Sequence, residues 1–367
     1  MNLKIENIGI INKADIKVDG LTVIAGENNS GKSTIGKVLF SAIKADMISL
    51  LKVRTNQAQN FETNRINGFS NQIRLVFKNN INRIENDKKL DGHIEIKLED
   101  EVYYNIKTAY DQKLKNDVCI EFNGIDEKKY RKFKDAVIIQ TPLVFDLFDT
   151  FNSISTLHSE TEMLGISTKI SYPYFLWDLY TKLKPQNSLP DEIELLNLLN
   201  TITSSDLLNG YIKSNQFGEL IFQMKNSNLT IPMIDVSIGM KSFAILQLLI
   251  QNNMIMKDRL LIIDEPEVHL HPKWQLEYAK IIVEFVRNGI SVIVTSHSPY
   301  IVEMLEVLSQ KHSIESNFYI PQKIGGIVWF EELEVGELRS IYQLLSEPYE
   351  EIEEVHRSWR EAVEDGD

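Results

Sequence analysis

Hydrophobic residues recur in two patterns along the chain, and together they predict alternating strands and helices. Leu3–Val18 alternates polar and apolar positions on both sides of a short turn, which predicts a β-hairpin. Leu21–Ala25 is a short apolar run typical of a buried strand. The apolar positions of Ser33–Leu51 recur at helical spacing. The chain therefore opens with strand, loop and helix in that order.

The last third of the chain shows the most regular alternation. Short apolar runs at Arg259–Asp264 and Ile290–Ser296 predict buried strands. The segments Ser242–Met256, Trp274–Arg287 and Pro299–Leu308 have apolar faces that predict helices. Alternation of this kind is typical of a parallel α/β sheet. Beyond it, Ile327–Phe330 is predicted to add an edge strand.

The middle of the chain is less regular. His93–Leu98, Val102–Ala109 and Val118–Phe122 have the pattern of antiparallel strands and predict a small β-subdomain. Ala136–Gln140 predicts another buried strand, and residues 143–230 are predicted to be mainly helical. The fold class that follows is α/β, with an antiparallel β-subdomain and an inserted helical lobe.

Composition and charge limit the class of protein. With 43% hydrophobic and 25% charged residues among 367, the chain fits a soluble globular protein. No apolar run approaches the ~18 residues that cross a bilayer, and the N-terminus lacks a signal-peptide core, so we expect a cytoplasmic protein. One cysteine excludes a disulfide framework. The net charge of −13 is concentrated after Glu331, so it does not exclude a nucleic-acid surface elsewhere.

The loop after the first buried strand fits G-x-x-x-x-G-K-[ST], a phosphate-binding loop. In this motif backbone N–H groups surround a phosphate, while the lysine bridges the β- and γ-phosphates and the hydroxyl ligates Mg²⁺. The strand before the loop and the helix after it supply the context that the motif requires. The predicted nucleotide-binding residues are Gly26, Asn28, Asn29, Ser30, Gly31, Lys32, Ser33 and Thr34.

Polar residues at the ends of three other strands predict the remaining chemistry. Asp264 ends an apolar strand and is expected to face Mg²⁺, and Glu265 is placed to act as the general base on water. His297 follows the next strand and is predicted to sense the γ-phosphate. Gln140 has the same edge position and is expected to reach Mg²⁺ or the attacking water. Together with Ser33, Gln140 and Asp264 form the predicted Mg²⁺ site.

A second anion site is predicted where the helix Ser242–Met256 opens. Ser237 and Gly239 form a Ser-x-Gly turn that offers a hydroxyl, backbone N–H groups and the positive end of a helix dipole. An ordinary serine N-cap is the alternative interpretation.

In chain order these motifs resemble those of an ABC-type ATPase of the SMC/RecF/OLD-like branch. The resemblance covers residues 1–45 and 230–310. Asn28 and the segments EPEVHLHP and TSHSPYIV are similar to those of ATPases from prokaryotic defence systems, including PtuA-like proteins. The resemblance implies ATP and Mg²⁺ as cofactors, ATP hydrolysis, and a homodimer or higher homo-oligomer. In that assembly Ser237 and Gly239 act on the ATP held by another subunit.

The resemblance also implies a domain organisation. We expect an ATPase lobe at 1–51 and 235–331, an inserted helical and β-subdomain at 52–134, a Q-loop strand with a helical lobe at 135–234, and acidic C-terminal helices at 332–367. The 70 residues after His297 are too few for a Toprim nuclease domain, so we expect a separate effector, such as a nuclease.

The expected function is a sensor or regulatory motor in anti-phage defence or DNA maintenance. DNA is a further expected partner, and no membrane is expected. Two alternatives stay open: a non-hydrolytic, ATP-gated scaffold and an ABC transporter subunit. The transporter interpretation predicts an aromatic residue before the phosphate loop, and Ile10–Val18 contains none. The scaffold interpretation is disfavoured by Glu265.

Overall fold

A computed structural model gives the fold for most of the chain. The described residues are 1–54, 61–77, 84–85, 88–89, 91–98, 101–108, 132–163, 172–185, 193–204, 208–216, 218–336, 338, 341–342 and 352–357. The predicted strand Val118–Phe122 and most of the acidic C-terminal segment lie outside the described residues. The predicted domain boundaries stay a prediction.

Fifteen strands and eight α-helices are assigned within the described residues. The strands are β1 (Asn2–Ile8), β2 (Ile11–Lys17), β3 (Leu21–Ala25), β4 (Ile84–Glu85), β5 (Lys88–Lys89), β6 (Gly92–Leu98), β7 (Glu101–Thr108), β8 (Asp135–Ile139), β9 (Gly210–Ser214), β10 (Leu220–Met224), β11 (Thr230–Pro232), β12 (Arg259–Asp264), β13 (Ser291–Ser296), β14 (Ser316–Ile324) and β15 (Ile327–Leu333). The helices are α1 (Lys32–Arg54), α2 (Phe61–Phe77), α3 (Phe148–Met163), α4 (Tyr174–Leu183), α5 (Ile193–Ser204), α6 (Ile238–Gln251), α7 (Pro272–Arg287) and α8 (Pro299–His312).

One ten-stranded sheet organises the molecule, in the order β7-β6-β1-β2-β15-β14-β3-β13-β12-β8. Strands β14, β3, β13, β12 and β8 run parallel to one another, while β7, β6, β1 and β2 pair antiparallel. Side chains alternate along β3: Val23 belongs to the core with α6, α7 and α8, and Ile24 to the core with α1 and α2. Burial of both sheet faces explains the continuous apolar runs. The predicted α/β fold class is confirmed.

Two strands have neighbours that the sequence pattern does not reveal. Strand β6 pairs with β1, so β6 and β7 extend the main sheet beyond the N-terminal hairpin. Strand β15 was expected at an edge, and this is wrong, because β15 lies between β14 and β2. Its hairpin with β14 turns at Gly325 and Gly326, both with positive φ, and thereby joins the parallel strands to the antiparallel ones.

The segment after β8 is only partly helical. Helices α3, α4 and α5 agree with the predicted helical lobe, but Gly210–Pro232 forms the three-stranded antiparallel sheet β9–β11. The helical expectation for these residues is wrong. Gly218 (φ 81°) and Asn226 (φ 57°) turn the chain back between very short strands. The turn residues, rather than any hydrophobic period, are the signal that identifies this sheet.

Candidate nucleotide-binding site

The carboxyl ends of four neighbouring parallel strands define the site. The residues that directly follow these strands lie along the same edge of the sheet, the one formed by the strands' carboxyl ends. In the strand order β3, β13, β12 and β8, they are Gly26, His297, Glu265 and Gln140. In open parallel sheets, ligands bind outside the carboxyl ends of the strands, where the loops that follow the strands carry the binding residues. Residues separated by more than 200 positions in the chain therefore meet.

The phosphate loop links β3 to α1 and is bonded to itself. Lys32 is 3% exposed, and its Nζ donates hydrogen bonds to the carbonyl oxygens of Gly26 (2.8 Å) and Glu27 (2.6 Å). Gly31 has a φ of +82°, and a Cβ added there would lie 2.9 Å from the Ile11 side chain. Both the conformation and the close contact require glycine. The loop ends at the N-terminus of α1, where backbone N–H groups and the helix dipole favour an anion.

Asp264 is the centre of a hydrogen-bond network at the end of β12. Its carboxylate accepts hydrogen bonds from Ser33 Oγ (2.8 Å), Gln140 Nε2 (2.8 Å) and Thr295 Oγ1 (2.5 Å). A hydroxyl, an amide and a carboxylate are oxygen-bearing groups of the kind that Mg²⁺ prefers. The donor set at Ser33, Gln140 and Asp264 therefore fits the predicted cation.

Glu265 has a backbone conformation that is uncommon for a residue with a side chain. Its φ is +51°, and its N–H donates to the Thr295 carbonyl oxygen at 3.0 Å. Such conformations cost free energy and persist where the surrounding structure enforces them, often at functional sites. The Glu265 carboxylate lies 3.8 Å from His297 Nδ1 and 3.7 Å from Lys32 Nζ. These two groups lower the pKa of Glu265, which keeps it ionised and able to accept a proton.

Glu267 was not among the predicted site residues, yet it positions His297. It is 5% exposed, and its Oε1 accepts hydrogen bonds from Ser296 Oγ (2.9 Å) and the His297 N–H (2.5 Å). The same oxygen lies 3.0 Å from His297 Nδ1. The carboxylates of Glu265 and Glu267 raise the pKa of His297 to about 9, so the imidazole is protonated at neutral pH. The second glutamate of the sequence EPE was the available signal.

The predicted signature residues lie outside the phosphate pocket. Ser237 is exposed and is the N-cap of α6, but within the described structure its side chain caps no N–H of that helix. Ser237 and Gly239 line a separate surface depression with His269, His271 and Trp274. A Cβ at Gly239 would lie 2.7 Å from the Trp274 ring, so glycine lets the indole cover the first turn of α6. Within one chain, the structure does not bring the signature residues to the phosphate loop.

The phosphate loop, the sheet order and the arrangement at this edge are those of a P-loop nucleotide-binding fold. Comparison with protein families agrees, since residues 21–303 match the family described as "AAA domain, putative AbiEii toxin, Type IV TA system". This match covers more than half of the chain, and the chain belongs to this family. Comparison with curated protein sequences returns no match.

Among solved structures the chain is similar to SMC head domains. A structure described as the SmcHead bound to the C-winged helix domain of ScpA has a TM-score of 0.50 and 13% identity over 91% of this chain and 97% of that one. The SMC head domain from Thermotoga maritima has a TM-score of 0.48 and 11% identity over 91% and 98%. A Pyrococcus furiosus Smc head has a TM-score of 0.48 and 12% identity over 95% and 98%. The first of these supports an SMC-head fold. None of the described helices is long and apolar enough to cross a membrane.

Proposed function

We propose that the chain binds ATP with Mg²⁺ and hydrolyses it at this sheet edge. The observation that carries the proposal is that two segments far apart in the chain, Lys32–Ser33 and Asp264–Glu265, meet at one pocket. Lys32, Ser33 and Glu265 line this pocket, and Asp264 accepts a hydrogen bond from Ser33 beside it. Each of them has the chemistry that phosphoryl transfer to water requires: a cation, a hydroxyl and two carboxylates.

Different residues of the site would bind the phosphates, hold the cation and accept the proton. Lys32 and the loop N–H groups bind the β- and γ-phosphates, and Ser33, Gln140 and Asp264 would hold Mg²⁺. When bound, Mg²⁺ neutralises negative charge on the phosphate oxygens. The ionised Glu265 accepts a proton from the attacking water. His297, protonated because its pKa is raised, places positive charge beside the γ-phosphate.

We further propose that two copies of the chain assemble head to tail around ATP. In support, Ser237 is exposed and the signature depression shares no lining residue with the phosphate pocket. A second copy would therefore supply the serine hydroxyl and the N-terminus of α6 to the nucleotide bound by the first. A closed C₂ dimer forms two equivalent sites in this way.

The biological role that we propose is a sensor or regulatory motor in anti-phage defence or DNA maintenance, similar to PtuA-like ATPases. The family description, which names a toxin of a TA system, supports a defence role. The effector would be a separate protein, such as a nuclease. The solved SmcHead bound to a domain of ScpA is an example of such a head with a separate protein partner.

Replacing Glu265 with glutamine tests hydrolysis separately from binding. We expect Glu265→Gln to lower phosphate release by about 10²- to 10⁴-fold, because a neutral amide cannot accept the proton. ATP binding and ATP-dependent dimerisation, measured by calorimetry and light scattering, should persist. Glu277→Gln, on the exposed side of α7, is the matched control and should keep wild-type turnover. Turnover at the wild-type rate in Glu265→Gln would refute the general-base role, and ATP binding without turnover in the wild type would favour the non-hydrolytic scaffold.

We also propose that DNA is a partner that binds across the dimer, and a gel shift tests this. Because phosphate contacts release counterions, affinity for DNA should be highest at low salt and should fall as salt is raised. We expect a shift of duplex DNA that is stronger with Glu265→Gln and ATP than with protein alone. The absence of a shift at low salt in both states would remove DNA from the proposed partners.

A further inference from the structure

The lining of the phosphate pocket combines two kinds of chemistry. The pocket has a volume of about 360 Å³, at the small end of the range for ligand sites. Its polar lining is formed by the phosphate loop and Glu265. The remaining lining, which we call the apolar end, is formed by Ile8, Gly9, Ile10 and Phe77. A ligand that matches this lining carries both negative charge and an apolar group.

The apolar end is built by two elements that pack beside the phosphate loop. The turn between β1 and β2 contacts the loop directly, because a Cβ at Gly31 would lie 3.4 Å from the Ile10 side chain. Phe77 is the last residue of α2, a helix held in place by Phe69, Ile73 and Val76, which are buried in the core that it shares with α1. Phe77 itself is only half-buried, so part of its ring faces the pocket.

We propose that Phe77, together with Ile10, is the platform that binds the nucleotide base. This inference rests on the proposed ATP binding and adds a specificity-determining residue to it. With the triphosphate held by Lys32 and the loop, the base of the same molecule lies toward the apolar end. An aromatic ring there gains free energy by stacking on a purine. Among the four described residues that line this end, none has a side-chain donor or acceptor, so shape and stacking provide the recognition.

The position of Phe77 in the chain has a consequence for the inserted segment. The residue belongs to α2, after the phosphate loop, whereas the segment Ile10–Val18 before the loop contains no aromatic residue. The base of a bound nucleotide therefore contacts the inserted part of the chain at Phe77 and the ATPase lobe at Ile10, while the triphosphate contacts the ATPase lobe alone. Nucleotide binding links the two regions through one ligand.

Nucleotide titrations of Phe77→Ala test the proposal. Loss of one stacking contact predicts roughly tenfold weaker ATP binding. GTP should weaken in parallel, and inorganic tripolyphosphate, which has no base, should bind as it does to the wild type. Phe77→Leu keeps an apolar side chain of similar size and should show an intermediate loss. Leu75→Ala is the matched control, since this exposed leucine of the same helix does not line the pocket.

The outcomes separate this inference from the proposed function. If Phe77→Ala and Phe77→Leu both bind ATP as tightly as the wild type, while Lys32→Ala loses ATP and tripolyphosphate alike, the base platform is wrong and nucleotide binding stands. If Phe77→Leu weakens ATP and tripolyphosphate equally, the residue acts only on the fold of the loop, and the inference is again overturned. If the wild type binds neither ATP nor tripolyphosphate, the proposed nucleotide binding is wrong, and the inference that rests on it is overturned as well.

Discussion

Two lysines of helix α1 are both buried, yet their surroundings differ. The Lys44 Nζ lies 2.5 Å from Asp135 and 2.7 Å from Asp178, and Lys182 pairs with the same two carboxylates. These two lysines and two aspartates, Lys44, Lys182, Asp135 and Asp178, form a group that we call the buried quartet, and its formal charges balance. Lys32 is bonded to backbone carbonyls, and the Glu265 carboxylate lies 3.7 Å away beside the phosphate pocket.

The difference distinguishes a structural charge from a functional one. Although burial opposes it, Asp178 and Asp135 raise the pKa of Lys44, so its charge is satisfied within the fold. Burial lowers the pKa of Lys32 against the opposing effect of Glu265. The quartet stabilises contacts between α1, α4 and β8, whereas the ammonium of Lys32 faces a pocket where an anion can bind it. Burial and charge alone therefore do not identify a binding site. The site is identified by a charged group that a ligand can reach from a pocket.

The largest effect is expected on the free energy of unfolding when Lys44 or Lys32 is replaced by methionine, whose side chain has a similar length. Lys44→Met leaves an unbalanced buried carboxylate and should lower the free energy of unfolding by about 3–5 kcal/mol. Lys32→Met removes the donor that the carbonyl oxygens of Gly26 and Glu27 share, so it should lower the free energy of unfolding by about 1–2 kcal/mol, less than Lys44→Met, and abolish ATP binding. Urea unfolding and ATP titration of both variants check the comparison. Equal losses of stability would show that the two lysines do not differ in the way proposed.

The same comparison explains what the sequence could predict. The phosphate loop, the Asp264–Glu265 pair and His297 have fixed positions relative to strands with strong hydrophobic patterns, so local reasoning finds them. The quartet is invisible in the sequence, because Lys44, Asp135 and Asp178 come from three separate elements that only the fold brings together. Phe77 and the position of β15 within the sheet are missed for the same reason. Glu267 differs, because the sequence EPE beside Glu265 offers a local signal for it, but only the fold shows that it contacts His297.

A smaller effect is expected from the pH dependence of stability. The pKa of His297 is raised to about 9 from 6.5, so its pairing with Glu265 and Glu267 is fully present below pH 6.5 and is lost as pH rises through about 9. The melting temperature of the nucleotide-free wild type should therefore fall over this interval more than that of His297→Gln. His269→Gln, which replaces an exposed imidazole in the signature depression, is the control and should follow the wild type. Parallel curves for wild type and His297→Gln would contradict the assigned pairing.

The central claim is that a second copy of the chain completes each ATP site, and mixing two inactive variants tests it directly. Glu265→Gln lacks the base of its own pocket, and Ser237→Ala lacks the hydroxyl that it lends to its partner. In a mixed dimer one site is intact, so an equal mixture should recover about a quarter of wild-type ATP turnover. A mixture of Glu265→Gln with Lys32→Met, both defective in their own pocket, should recover none. If Ser237→Ala alone hydrolyses ATP at the wild-type rate, or if its mixture with Glu265→Gln stays inactive, the claim is contradicted.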